Sequence, residues 1–467
     1  MNITEIKRRP VPTELLDELQ HRFQERCSLA LSVREQHGKD ESPYDVTPPD
    51  VVVFASTTED IATVLALASQ YKVPVIPYGA GSSMEGSLLA TEGGISLDVS
   101  RMNRILRVNP EDFTVTVEPG VTREELNESL KHDGLFFPID PGANASIGGM
   151  VALRASGTTA VRYGTMMENV LQLKVVMPNG EIIHTGTRAI KSSAGYDLTR
   201  LFVGSAGTLG VITEITLKLY PLPEAVTAAI CSFPDIASAV ETVIEAKQMG
   251  VIFSRCEFMD TNSVTAVNRA DHAGLQVSPL LVMEFAGSPT AVQEQTEMMA
   301  ELASEHGGSQ FDWAKRPEER NRLWKIRHRA YLSGIQLRPG SKGMSTDVCV
   351  PISRLAESVV EAIADAEAAG MPYFCVGHVG DGNFHVCYLI DPASEQEYKI
   401  AEQLSHNVVK RALAMDGTCT GEHGIGLHKQ GYLIEEVGPA TVAVMRSIKR
   451  AVDPDNIMNP GKVFTWE

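Results

Sequence analysis

The sequence predicts an α+β fold in two parts: a mixed domain rich in small-residue loops, then a second domain built on an antiparallel sheet. Three observations predict it. From Val51 the chain reads strand, helix, strand, and four loops crowded with glycine and small residues follow before residue 211. Past Pro221, Pro223 and Glu224 the glycines thin out and helix and strand patterns alternate instead. A length of 467 residues is also more than one ordinary core supports, so at least two domains are expected.

In chain order, Thr13 to about Leu31 reads as one helix, followed by a polar loop through Ser42, Pro43 and Tyr44. Residues 1–45 are thus a lead-in packed on the domain after it. Val51–Ala55 is a strand, and Thr58–Gln70 is a helix with Ser56 or Thr57 able to cap it. Pro74–Pro77 is the next strand. It runs into the first loop, PYGAGSSMEG at 77–86, whose backbone N–H groups can approach a pyrophosphate closely. The spacing matches neither G-x-G-x-x-G nor the P-loop, which excludes a Rossmann or NTPase assignment. Strands at Ile95–Asp98, Ile105–Val108 and Thr114–Val117 and a helix from Arg123 to about His132 come next. The second loop occupies 138–150. A third joins Ala155–Gly157 to Arg162–Thr165, and a fourth covers Gly204–Gly210 ahead of the strand Val211–Leu219. Four such loops suit a long cofactor lying against backbone. The first domain is therefore drawn at 46–223. A cap domain follows at 224–415, with segments Ile236–Met249, Phe253–Met259, Leu280–Phe285 and Ala291–His306 and a helix Glu395–Met415. A C-terminal segment, 416–467, returns to the first domain.

Composition narrows the function classes. Hydrophobic residues at 43% and charged residues at 21% describe a globular enzyme-like chain. A net charge of -18 argues against nucleic acid and obliges any anionic substrate to find a local cation. Seven cysteines without a C-x-x-C pair give neither a disulfide framework nor a zinc ribbon and point to a reducing compartment. The polar start before Arg8 has no apolar signal run, and no stretch of about 20 apolar residues occurs. A cytoplasmic protein without a transmembrane segment is expected, with peripheral association at the inner membrane face left open.

The stretch His378-Val-Gly-Asp-Gly-Asn-Phe-His385 concentrates chemistry. Asp381-Gly382 between two β-rich runs is the signature of a hairpin with a two-residue turn. That register sets His378 opposite His385, with Cβ atoms roughly 5 Å apart, close enough for one metal ion to bridge the rings. By spacing alone, a pair of surface histidines on an ordinary hairpin is the simpler reading.

The motifs PYGAGSSMEG, DPGANASIGGM, ASGTTAVRYGT, KSSAGYDLTRLFVGSAGTLGVITE and NPGKV (459–463) together carry a family resemblance. The chain resembles the vanillyl-alcohol oxidase flavoprotein superfamily, in its D-lactate and D-2-hydroxyacid dehydrogenase branch. The resemblance implies a PCMH-type FAD-binding domain. It further implies that Pro77, Gly79, Ala80, Gly81, Ser82, Ser83 and Gly86 wrap the FAD pyrophosphate. Pro141, Gly142, Ser146, Gly149, Ser156, Gly157, Tyr163 and Gly164 would line the isoalloxazine. Gly207, Gly210, Val211, Ile212 and Asn459 complete the expected contacts, with Val211 and Ile212 on the adenosine side. Two departures are Ala206, where relatives usually carry Glu, and Arg154, where they carry a small or polar residue. Covalent relatives place a histidine in the first loop. None occurs at 77–86, so non-covalent FAD is expected.

A second motif, Gly421-Glu422-His423-Gly424, sits between glycines that can aim both side chains. Two histidines and a glutamate form a catalytic divalent-metal set with an open position. The resemblance implies His378, His385 and Glu422 as ligands to zinc or manganese and His423 as base, although Glu-His beside glycines could also simply cap a helix. The reaction implied is oxidation of a D-2-hydroxy acid. The hydroxyl proton passes to His423 and the C2 hydride to flavin N5. Arg327, in a W-x-x-R segment like that of relatives, is the first candidate for the substrate carboxylate, and Lys342 the second. Cys387 stands where 2-hydroxyglutarate-oxidising relatives carry Asn, which favours a small monocarboxylate such as D-lactate, with glycolate and D-2-hydroxyglutarate as the alternative substrates. The electron acceptor is a quinone, a cytochrome or an electron-transfer flavoprotein, since no nicotinamide fingerprint is present. A metal-dependent hydrolase without flavin and a silent flavoprotein subunit are the competing classes.

Overall fold

The computed structural model describes residues 8–466. The N-terminal stretch read as lacking a signal run lies partly outside the described residues. The chain forms two compact units. One comprises the chain up to Ser156, Gly164–Leu222 and everything from Glu422 onward; the other comprises Gly157–Tyr163 and Pro223–Gly421.

In the first unit a four-stranded sheet has the order β1 (Cys27–Ser28), β2 (Val51–Phe54), β4 (Ile95–Asp98), β3 (Val75–Tyr78), with β2 and β3 both parallel to β4. The near-continuous apolar runs of these strands fit parallel strands covered on both faces, and all four residues of β4 are buried. Helix Thr58–Tyr71 is capped by the Thr57 side chain, which accepts from Asp60 N at 3.1 Å. The first helix departs from expectation. It spans Thr13–Phe23 only, because its buried stripe Leu15, Leu19, Phe23 ends there and Gln24 turns to φ 49°. The chain then adds β1 to the sheet edge and starts a second helix, Leu31–His37.

A five-stranded antiparallel sheet of the same unit runs β5 (Ile105–Asn109), β6 (Thr114–Val117), β10 (Val211–Lys218), β8 (Val170–Val176), β9 (Ile182–His184). A short pair joins β7 (Leu135–Phe136) to β11 (Tyr220–Pro221). The C-terminal stretch contributes helix Gln430–Val452, kinked at Gly438-Pro439, and then Ile457 and Met458, which pack in the core beside Val75.

The second unit is an eight-stranded antiparallel sheet ordered β15 (Ser309–Ala314), β12 (Ala225–Ser232), β14 (Leu280–Gly287), β13 (Arg255–Met259), β18 (Tyr373–His378), β19 (Asn383–Ile390), β16 (Lys342–Ser345), with β17 (Val348–Cys349) also on β19. The unit reaches Gly421, beyond the boundary drawn after Met415. Thr418 bridges to Cys349, and Thr420 Oγ1 donates to Asp347 at 2.7 Å. Residues 157–163 belong here because Arg162 donates to Ser254 Oγ at 2.9 Å and to Ala286 O at 2.7 Å.

Candidate active site

The small-residue loops of the first unit converge on one cavity with about 1320 Å³ of empty space, its mouth included. Pro77, Gly79, Ala80, Gly81, Ser82 and Ser83 line it from the first loop, Pro141, Ser146 and Gly149 from the second, and Ser156 from the third. Gly207, Gly210, Val211, Ile212 and Asn459 line it as well. The loops touch: a Cβ on Gly79 would lie 2.5 Å from Ser146 Oγ, so a side chain there would displace that hydroxyl. Asn459 Nδ2 donates to Ser87 O at 3.1 Å and Ala206 O at 2.8 Å, tying the first and fourth loops together from the far end of the chain.

The cavity suits a pyrophosphate-bearing ligand. None of the backbone N–H groups of residues 79–84 donates to an acceptor among the described residues. Such a run of unspent donors is an anion cradle. Ser87 Oγ and Asn459 Oδ1 are likewise buried without a hydrogen-bond partner among those residues.

Five expected contacts are not on the cavity wall. Gly86 packs against Leu427 and Tyr44, Gly142 is a turn with open space where a Cβ would stand, and Gly164 turns the chain toward Glu168. Gly157 and Tyr163 belong to the second unit. Ser87, Leu88 and Val99, outside the expected loops, also line the cavity. They are apolar or small residues that nothing in sequence distinguishes from core.

Glu422 and His423 also line this cavity. Glu422 Oε2 accepts from Ser156 Oγ at 3.1 Å. His423 Nδ1 lies 3.8 Å from Glu85 Oε1, and Glu85 in turn pairs with buried Lys429 at 2.8 Å. An imidazole is thus held at the wall between two carboxylates, with Glu422 Oε1 4.0 Å from its Nε2.

In the second unit the expected hairpin has a different register. His378 pairs with Asn383 and Val376 with His385, so residues 379–382 form a four-residue loop and not a two-residue turn. The loop is wider because β17 occupies the start of β19, pairing Val348 with Phe384, and Gly380 N donates to Cys256 O at 3.3 Å. The two-residue shift preserves the side-chain parity. His378 and His385 are therefore diagonal neighbours on one face, with ring centroids 5.7 Å apart and planes at 86°. His378 Nδ1 is 2.8 Å from Glu257 Oε1, and His385 Nδ1 is 3.0 Å from Thr346 O. Both partners can only accept, which makes each Nδ1 the donor and each Nε2 the nitrogen that carries a lone pair.

A family model described as "FAD linked oxidases, C-terminal domain" matches residues 222–463, and one described as "FAD binding domain" matches residues 49–186. The chain belongs to the FAD-linked oxidase family. This FAD-linked oxidase is 49% identical over 443 residues to "Probable D-lactate dehydrogenase, mitochondrial" of Danio rerio, which covers 94% of the chain and 89% of that relative. It is 46% identical to "D-lactate dehydrogenase [cytochrome], mitochondrial" of Arabidopsis thaliana, over 97% of the chain and 80% of the relative. "Glycolate oxidase subunit GlcD" of Bacillus subtilis (strain 168) is 35% identical over 90% of the chain and 91% of its own length. Among solved structures, p-cresol methylhydroxylase with substrate bound superposes at a TM-score of 0.82 with 18% identity, covering 98% of this chain and 99% of that one, which establishes the PCMH-type fold. The protein is an FAD-linked oxidoreductase, and the cavity of the first unit lies in its FAD-binding domain.

Two buried acids of this FAD-linked oxidase were not anticipated. Glu257, on β13, also lies 2.6 Å from Arg327 Nη2, an ion pair in which the arginine is buried. Asp347 accepts from Asn383 Nδ2 at 3.1 Å and lies 3.9 Å from His385 Nδ1. Arg327, the first candidate for the substrate carboxylate, thus already has an anion beside it, although its buried Nε has no acceptor among the described residues. Lys342 is set apart from the histidines. It is exposed, and its pairing with Ile390 places it on the opposite face of the sheet from His385, five residues along β19 or roughly 16 Å. Cys387 shares the histidine face inside an apolar cluster with Phe374, Val376 and Leu389, and burial drives its thiol well up.

Proposed function

We propose that this FAD-linked oxidase is a D-2-hydroxyacid dehydrogenase acting on D-lactate, with FAD held non-covalently and a divalent metal, zinc or manganese, as second cofactor. The observation that carries the metal is the pair of imidazoles on one sheet face, each with Nδ1 committed to an acceptor, the arrangement found in histidines that ligate through Nε2. His378 and His385 would hold the ion. Glu422 is the third ligand by its motif. Once bound, the metal supplies Lewis acidity toward a hydroxyl and FAD supplies a two-electron acceptor.

The chain's own residues divide the remaining work. His423 receives the hydroxyl proton, imidazole being the side-chain class that titrates near neutrality, and the neighbouring Glu85 and Glu422 carboxylates favour the ring once it is charged. Arg327 holds the substrate carboxylate with the hydrogen-bonding capacity that Glu257 leaves it. Cys387 offers no charge and only a weak S–H donor for a second carboxylate, in keeping with a small monocarboxylate. The printed names of the Danio rerio and Arabidopsis thaliana relatives support D-lactate, and that of the Arabidopsis thaliana relative supports a cytochrome acceptor, ahead of quinone or electron-transfer flavoprotein. Glycolate is the second reading, favoured by the GlcD relative.

Anaerobic mixing with D-lactate, L-lactate or glycolate, with and without chelator, tests the proposal through bleaching of the flavin absorbance. D-lactate is expected to bleach fastest and chelator to slow it. Bleaching by L-lactate alone overturns the substrate assignment, and indifference to chelator overturns the metal. His423→Ala should slow bleaching by about 10²–10⁴-fold with flavin content unchanged.

A further inference from the structure

Glu257, Arg327 and His378 all lie in the second unit, and none was linked to another by sequence. Glu257 stands at the middle of β13, with no exposed surface. The register Met259 opposite Val376 puts it on the same face as His378, and its two carboxylate oxygens are divided. Oε1 takes the His378 Nδ1–H at 2.8 Å, and Oε2 meets Arg327 Nη2 at 2.6 Å. We propose that Glu257 is a positioning residue for both groups at once: it fixes which nitrogen His378 presents to a metal, and it holds and neutralises Arg327 beside it. The inference rests on the metal reading given above.

Packing does not account for a carboxylate at this position. The neighbouring cluster is Met259, Val282, Trp324, Ile326 and Val376, all apolar. An ion pair buried among such residues commonly contributes less stability than apolar side chains of the same volume, so its presence calls for another cause. Chemistry supplies one. A carboxylate only accepts, so it demands a proton on Nδ1 and sets the ring angle, leaving Nε2 with its lone pair. Charge supplies the second. An unpaired guanidinium next to a ligating imidazole would repel a divalent cation in a low-dielectric setting, and Glu257 cancels that charge. Arg327 keeps its buried Nε as a donor, so a substrate carboxylate can still be bound by a residue whose position is already fixed.

Glu257→Gln tests this in the full-length flavoprotein. Zinc and manganese affinity, measured by equilibrium dialysis, should weaken by about 10- to 100-fold, the usual consequence of losing such a partner. The D-lactate KM should rise more than kcat falls, and Glu257→Asp should recover part of the metal affinity. Flavin content, which reports on the other unit, should stay near wild type, while the melting temperature should fall because Arg327 is left buried without its anion. Unchanged metal affinity and KM in Glu257→Gln would overturn the role of Glu257 alone. A wild-type protein that takes up neither ion overturns the metal reading and this inference with it, so the two failures are distinguishable. Should both variants fail to fold, the imidazole ¹⁵N spectrum of the metal-loaded wild type decides. A proton on Nδ1 of His378 supports the inference, and a proton on Nε2 overturns it.

Discussion

At the scale of single residues, the buried acids divide into those with a cation beside them and those without. Asp260 is of the second kind. It caps helix Thr261–Asp271 by accepting from Ser263 N at 2.7 Å, and burial raises its carboxyl to about 6. Its folded value lies above the ordinary one, so the protonated form is the one the fold favours. That contribution is complete below about pH 4 and is lost as pH rises through 6. Asparagine caps helices as well as aspartate and carries no charge. Asp260→Asn should therefore stabilise the protein above pH 6 by up to about 3 kcal/mol, with the gain fading toward pH 4. Thermal melts of the two proteins at pH 4.5 and 7.5 check it, and an equal difference at both would show that charge burial is not the cause. Glu257 was illegible in the sequence for a related reason. In the run Arg-Cys-Glu-Phe-Met it reads as any polar strand residue, and only the pairing of β13 with β18 brings it to His378.

Among the elements, the β18–β19 loop shows how far local patterns reach. Asp381-Gly382 did mark a reversal, and the two histidines do share a face, because a register slip of two residues conserves parity. The slip itself depends on β17, a two-residue strand distant in sequence that carries no signal of its own. Gly382 shows the constraint on this loop: its φ is +89° and a Cβ would stand 2.0 Å from Val350 O. Gly382→Ala should displace the loop between the histidines and lower zinc affinity at least tenfold while leaving flavin content intact, readable by dialysis and absorbance. Retained affinity would mean that the loop does not hold the pair. The helix ending at Phe23 was missed in the same way, since residues 24–31 keep helix-compatible composition and only tertiary pairing of Cys27–Ser28 with β2 breaks it.

For the whole molecule, the loop-rich first domain was legible because glycine and small residues there answer to backbone contact with a ligand, whereas the extent of the second unit to Gly421 depends on side-chain bonds to Asp347 that no composition change announces. All seven cysteines are free; five are buried, and burial lifts Cys231 to about 11 and Cys349 to about 12. A thiol reagent at pH 8 should accordingly modify the native protein slowly and reach seven equivalents only in denaturant; rapid native reaction of more than two thiols would contradict this packing. The clamp formed by Asn459 on Ser87 O and Ala206 O has a consequence for biosynthesis. All four loops of the flavin cradle are translated before residue 211, yet their fastening arrives some 250 residues later, after the whole inserted unit. The last fastening of the cradle is therefore synthesised only after the second unit. Ending translation just before Asn459 should yield colourless protein even where both sheets have formed.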